Sequence, residues 1–190
     1  MDEGRLLKQV QAIKEINESG KYRVHLFSGS EVDILSGGRL DFEDADLEPL
    51  DYVVASVHSG LTQDEETMTT RIIKALEHPK VTMLGHMSGR LLLRREASAM
   101  NIQKIIDAAL ANEKIIELNA NPMRLDMDWR HWRRAAEKGL LCCINPDAHA
   151  LHHYDYQEAG VLTARKGWLT AKEVFNTRTL TEVKDYLFSS

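Results

Sequence analysis

The chain has 190 residues, 43% of them hydrophobic and 28% charged, which fits one globular domain over 1–190 better than two. A formal net charge of -5 excludes a protein that grips nucleic acid through a broad basic surface, leaving room only for a local basic rim. A domain of about 150 residues already hides roughly 68–70% of its unfolded surface, so neither disulfides nor a metal is needed merely to hold such a chain together.

Met1, Asp2, Glu3 and Gly4 open no apolar signal segment, and no apolar run approaches the roughly 18 residues of a membrane span, so a cytoplasmic protein with no membrane partner is expected. Leu6, Val10, Ile13 and Ile16 recur at helical spacing before Gly20, and Val24 to Phe27 reads as a short strand running towards Glu31. Tyr52 to Val57 is a compact β-branched strand, followed by Thr62-x-x-Glu65 as a capping box for a helix with Met68, Ile72 and Leu76 on one face. Val81 to Leu84 is the third strand, and Ile102, Ile105, Ile106, Ala109 and Leu110 form the stripe of the next helix.

Ile115 to Leu118 reads as the fourth strand, and Asp128 caps a helix carrying Trp129, Trp132 and Ala136 that stops at Gly139. Leu140 to Ile144 is the fifth strand. It holds the two cysteines, Cys142 and Cys143, whose adjacency makes a mutual bond strained and suits a reducing compartment. Thr170-x-x-Glu173 and Thr179-x-x-Glu182 are further capping boxes, the second leading a C-terminal helix with Leu180, Val183 and Leu187. Strands alternating with helices imply right-handed crossovers and a largely parallel α/β sheet, either open or closed into a barrel. At roughly 30 residues per unit, the chain has room for five or six units of a (β/α)8 barrel.

Side chains able to bind metal fall at the ends of these strands. Glu31 follows the first, His58 ends the second, His86 ends the third, and Asp147 with His149 follows the fifth. In parallel α/β architectures the C-terminal strand edge is where loops converge and ligands bind. Imidazoles mixed with carboxylates suit Zn²⁺, Mn²⁺ or Fe²⁺, and such ions activate water and clamp a phosphoryl group, so phosphoester hydrolysis is the expected chemistry. His25, His78, His131, His152 and His153 read as structural or solvated, the last two close enough to His149 to support a ligand; Trp129 and Trp132 read as packing. Glu117, Asn119 and Asn121 share the same edge, with capping of backbone groups as their plain role. Arg90, Arg94, Arg95, Arg124, Arg165 and Lys166 follow strand ends, and of these Arg90, Arg124, Arg165 and Lys166 are the expected contacts to substrate phosphate.

Taken together, Gly29-Ser30-Glu31-Val32-Asp33-Ile34-Leu35, the Leu50 to His58 block, Leu84-Gly85-His86-Met87-Ser88-Gly89-Arg90-Leu91-Leu92, the Ile116 to Asp126 block, Asp147-Ala148-His149 and Arg165-Lys166-Gly167-Trp168-Leu169 resemble the PHP (polymerase and histidinol phosphatase) domain of bacterial family X DNA polymerases. The resemblance covers almost the whole chain. It implies a distorted (β/α)7 TIM-like barrel carrying up to three manganese or zinc ions, with Glu31 as a bridging carboxylate, His58 and His86 as imidazole ligands, and Asp147 with His149 as the final pair. These five residues would also be the catalytic ones, and the activity implied is 3′-to-5′ exonuclease-like phosphoester hydrolysis at DNA ends. The family's opening His-x-His pair has no counterpart upstream of Glu31, which implies a partial barrel lacking its first one or two βα units and holding fewer ions. Met87-Ser88 stands where Pro-Thr is usual, and Asn145-Pro146 precedes Asp147 in place of small polar residues. Two other classes stay open. One is a non-catalytic scaffold with a partial metal site, completed by a second copy or by a missing N-terminal segment; the other is a small-molecule phosphatase of histidinol phosphatase type.

Overall fold

The computed structural model describes residues 3–188. Met1 and Asp2, on which part of the signal-segment expectation rests, lie outside the described residues, as do Ser189 and Ser190. Five strands, β1 (Gly29–Asp33), β2 (Tyr52–Ser56), β3 (Met83–Leu84), β4 (Ile115–Asn119) and β5 (Cys142–Asn145), form one sheet in the order β1-β2-β3-β4-β5, all parallel. Seven α-helices surround them: α1 (Glu3–Glu18), α2 (Asp44–Leu47), α3 (Glu65–Leu76), α4 (Ile102–Ala111), α5 (Trp129–Glu137), α6 (Gln157–Lys166) and α7 (Leu180–Phe188). Consecutive strand order with right-handed crossovers puts the connecting helices on one face, the arrangement of a barrel wall. The sheet is therefore compatible with a partial barrel. No helix among the described residues is long and apolar enough to cross a membrane.

Strand pleating gives the two faces different jobs, because successive side chains point to opposite sides. Val32, Val53, Ala55, Leu84, Ile116, Leu118, Cys142 and Ile144 join Ile72 of α3, Ile105 of α4, Trp132 of α5 and Ala164 of α6 in the main core. Each large side chain fully buried there contributes roughly 1.5–3 kcal/mol. The alternate residues face the other way and change character along the strands. Near the strand starts, Val54, Met83, Ile115 and Cys143 form a small apolar cluster with Phe175 and Tyr186. Toward the strand ends the same face carries Glu31, Glu117, Asn119 and Asn145, and these residues line a cavity of about 600 Å³. Val183 and Leu187 of α7 line that cavity too.

Several elements depart from expectation. The first strand is Gly29–Asp33, with Glu31 inside it; Val24 to Phe27 is irregular, and Val24 is exposed. Strand propensity is decided by pairing, and the pairing here runs from Gly29 opposite Tyr52 to Asp33 opposite Ser56, with the Asp51 carboxylate accepting from Ser28 N just before it. The cap of α3 is Asp64, which accepts from Thr67 N at 2.9 Å, so the Thr62 box is not used. Asp128 does cap α5, and Thr179 with Glu182 opens α7. Thr170 and Glu173 make the bonds of a capping box but close a turn, because Val174 then bridges to Cys142 at the edge of β5. Only Leu6 of the α1 stripe is fully buried, and Ile16 is exposed.

Helix α6 had no expected counterpart. Gly160, in its first turns, lets it lie directly on the ends of β4 and β5: an added Cβ would sit 2.6 Å from Ala120 Cβ and 2.4 Å from Ile144 Cγ2. Gly160→Ala gains about 0.8–1 kcal/mol of helix propensity, but overpacking against short side chains that cannot swing away costs roughly 1–3 kcal/mol. The expected outcome is a net loss of up to about 2 kcal/mol, read as a lower urea midpoint at unchanged m.

Candidate metal centre

Three neighbouring strands each bring one metal-capable side chain to the same point. Glu31 stands on the inward face of β1 beside Val54 of β2. His58 leaves β2 two residues past its end, and His86 leaves β3 two residues past its end. The Glu31 Oε1 atom lies 3.3 Å from His58 Nε2 and 2.9 Å from His86 Nε2, and the two imidazoles meet edge to face at 5.1 Å. One ligand atom from each residue falls within 4.8 Å of the other two. Ligands bound at about 2.0–2.2 Å from one ion sit roughly 3–4 Å from each other, so a small shift of His58 and His86 suffices to admit a cation.

The backbone explains the convergence. Gly85 lets β3 lie close, since a Cβ there would meet Ser56 Oγ at 2.4 Å. The Asp33 carboxylate accepts from His58 N at 3.0 Å and lies 3.4 Å from His58 Nδ1, orienting that ring from the far side. Behind His86, Glu117 Oε2 accepts from the His86 backbone N at 2.6 Å, while Asn145 Nδ2 donates to Glu117 Oε1 at 3.0 Å. Buried Arg71 of α3 donates to the carbonyls of Ile34 and Ser59 and to Gln63 Oε1. It thereby ties the chain just after β1 to the residue following His58.

Burial alone would raise the Glu31 carboxyl, but its bonds from His58 and His86 outweigh that and hold it well below the usual carboxylate range. The Glu31 contact pushes His58 up, against the opposing effect of burial, with Asp33 adding to the rise. Burial pushes Glu117 up as well, opposed by the His86 backbone N–H and Asn145.

The other expected residues are placed differently. Asp147, in a left-handed conformation (φ 52), lines the same cavity as Glu31 and His86 but is not part of the three-residue cluster. Its Oδ2 lies 3.3 Å from Asn119 Nδ2 and 3.6 Å from Arg124 Nε. His149 is 77% exposed, with Nδ1 at 2.8 Å from the Asp147 carbonyl and its backbone N donating to His153 Nδ1. So three of the five expected ligands come together, a fourth faces them across the cavity, and the fifth stands outside. His153 supports the His149 loop, and His78 pairs with Asp44. Trp132 is fully buried and donates to Met127 O, a packing role.

The residues expected to contact phosphate are dispersed. Arg90 engages all three of its guanidinium nitrogens, donating to Arg124 O, Leu125 O and Asp128 Oδ2, and so ties loops together. Arg165 and Lys166 occupy the last turn of α6 and do not line the cavity; Lys166 Nζ lies over the Trp129 ring at 4.6 Å. Arg124 keeps one buried nitrogen, Nη1, without a partner. Asp33 and Arg71 were not expected to support the centre. Only Asp33 carried a usable signal, its position two residues from Glu31 on one face of a strand.

The residues present fit a divalent cation. One carboxylate and two imidazoles with ligand atoms within 4.8 Å of one another are a donor set that Zn²⁺ or Mn²⁺ takes.

A parallel wall with a histidine and carboxylate cluster at its C-terminal edge marks an α/β protein whose strand ends could hold a metal, and comparison with known proteins narrows this. No family model matches the chain. It is 39% identical over 184 residues to "DNA polymerase/3'-5' exonuclease PolX" of Bacillus subtilis (strain 168), a match covering 96% of this chain and 32% of that protein. It is also 28% identical over 174 residues to a "Probable phosphatase" of Thermoanaerobacter sp. (strain X514), covering 86% of this chain and 68% of that one. A "Probable phosphatase" of Acetivibrio thermocellus is 32% identical over 101 residues. The chain thus spans about a third of the PolX it resembles and about two thirds of the Thermoanaerobacter phosphatase.

Glu31→Gln, His58→Ala and His86→Ala are each expected to weaken Mn²⁺ or Zn²⁺ binding at least about tenfold in titration calorimetry, since even partners behind the ligands are worth 10–100-fold. Because His58 holds its proton to higher pH than an ordinary imidazole, cation binding must displace that proton. Affinity should therefore fall on acidification, and calorimetry in buffers of different ionisation enthalpy should show proton release that is reduced in His58→Ala.

Proposed function

We propose that this chain is a metal-dependent phosphoesterase domain of the PHP type that acts on DNA 3′ ends. The observation that carries this reading is the shared Glu31 oxygen, 2.9 Å from one imidazole nitrogen and 3.3 Å from another at the mouth of a cavity. The similarity to PolX and to phosphatases supplies the reaction class, and the five-stranded wall is read as part of the PHP barrel.

A manganese or zinc ion bound there would polarise a phosphoryl oxygen and lower the pKa of a bound water. The chain's own residues set the rest. Glu31, His58 and His86 hold the cation, Asp33 fixes the His58 ring, and Glu117 fixes the His86 backbone. Asp147 stands across the cavity, with His149 beside it as a further ligand once the loop closes. Arg124, whose Nε lies 3.6 Å from Asp147 Oδ2, would take a phosphate oxygen beside Asp147. The formal charge of -5 favours recognition of one end over grip on a duplex, which needs many neutralised phosphates.

A second reading, a small-molecule phosphatase, is favoured by the fuller coverage of the Thermoanaerobacter relative and by a cavity of about 600 Å³, in the range of small-ligand sites. Hydrolysis of a 3′-labelled oligonucleotide and of p-nitrophenyl phosphate with Mn²⁺ separates the two. DNA cleavage lost in His58→Ala and Asp147→Ala supports the leading reading, whereas phosphomonoester turnover alone supports the second. Cation binding with neither turnover above the variants would leave a scaffold and sink both.

A further inference from the structure

The least explained atoms of the centre lie behind His86. Its ring is 4% exposed, Nε2 faces Glu31, and Nδ1 is buried without a partner. Asp126 is fully buried, which is rare for a carboxylate without a dedicated partner. Its Oδ2 accepts from Ser88 N and Ser88 Oγ, both at 2.9 Å, while Oδ1 is buried with no partner. Ser88 follows His86 by two residues, and Asp126 is tied by its own backbone to Asn119 at the end of β4. The loop after β3 and the loop after β4 are thus held together at this carboxylate.

An imidazole nitrogen able to donate and a carboxylate oxygen able only to accept, both enclosed and both unsatisfied, are complementary. Imidazoles that bind metal through one nitrogen regularly give the other N–H to a carboxylate, a carbonyl or water. Glu117 does not fill this role, because its two oxygens are occupied by the His86 backbone, Asn119 and Asn145.

Building on the metal-centre reading, we propose that Asp126 is the positioning residue of the centre: its Oδ1 accepts the Nδ1–H of His86, directly or through one enclosed water. That bond would fix the tautomer and the ring plane, so that with a cation present Nε2 offers its lone pair to the ion in place of the proton it otherwise shares with Glu31. Asp126 touches neither cation nor substrate in this arrangement; it acts through His86.

The test uses the full chain loaded with Zn²⁺ or Co²⁺. In the Zn²⁺ form of the wild type, nitrogen-15 spectra of the imidazoles should show His86, assigned through His86→Ala, with its proton on Nδ1. In the Co²⁺ form, the exchangeable shifted proton of that N–H should exchange slowly with solvent. Asp126→Asn should move this signal and speed its exchange, and should weaken Zn²⁺ binding about 10–100-fold. Ser88→Ala, which removes the hydroxyl tie to Asp126 and a long contact from Arg90 N but leaves the Ser88 N bond, should change both far less, with metal-free melting temperatures reporting any general loss of structure. His86 without a proton on Nδ1 in the loaded wild type overturns the assignment even if Asp126→Asn fails to fold. So does an Asp126→Asn chain that folds, binds as the wild type does and keeps the signal. A wild type that takes up no cation overturns the metal-centre reading, and this assignment with it.

Discussion

Two imidazole nitrogens share one carboxylate oxygen of Glu31, and that contact is possible only if β1, β2 and β3 are adjacent, parallel and in register. A slip of β1 by one residue would turn Glu31 into the helix-facing core and put Val32 or Ser30 in its place. The register is fixed by what lies on the other face, where Val32, Val53, Ala55 and Leu84 are packed beneath the helices. Hydrophobic burial on one side of the sheet therefore sets the geometry of polar groups on the other. The centre inherits its precision from the core.

The inward face carries this further. Its apolar start and polar end form a graded surface, and Met83, Ile115 and Cys143 bring low polarity close to Glu117. Burial pushes the Cys143 thiol and Glu117 up, so reactive thiolate character is suppressed on this face. The charge that remains there is concentrated at the strand ends, where Glu31 is held ionised by its neighbours.

Much of this was legible in the sequence, and for physical reasons. The β-branched run from Tyr52 and the apolar run from Ile115 are strands wherever they pair, and His58 and His86 follow such runs closely. Asp128 announces α5 because a side-chain cap is a local interaction. Glu31 was expected after its strand and lies inside it, since Val24 to Phe27 has the stronger propensity and lacks only a partner. Helix α6 was hidden because Gly160 lowers helix propensity at the point where close packing requires it. The roles of Arg90 and Arg71 depend on carbonyls 34 to 37 residues away in sequence, which no local pattern reveals. Composition could say that arginines were present near strand ends. It could not say which ones were already spoken for.

Arg71 links these levels. A guanidinium stays charged when buried, so its donors must find acceptors, and here these are the main chain beyond β1, the main chain beyond His58, and Gln63. The helix thus acts as a strut braced against two loops at once. Any force that lifts one loop is transmitted to the other through a single rigid, planar group, so the supports of Glu31 and His58 travel as a coupled pair.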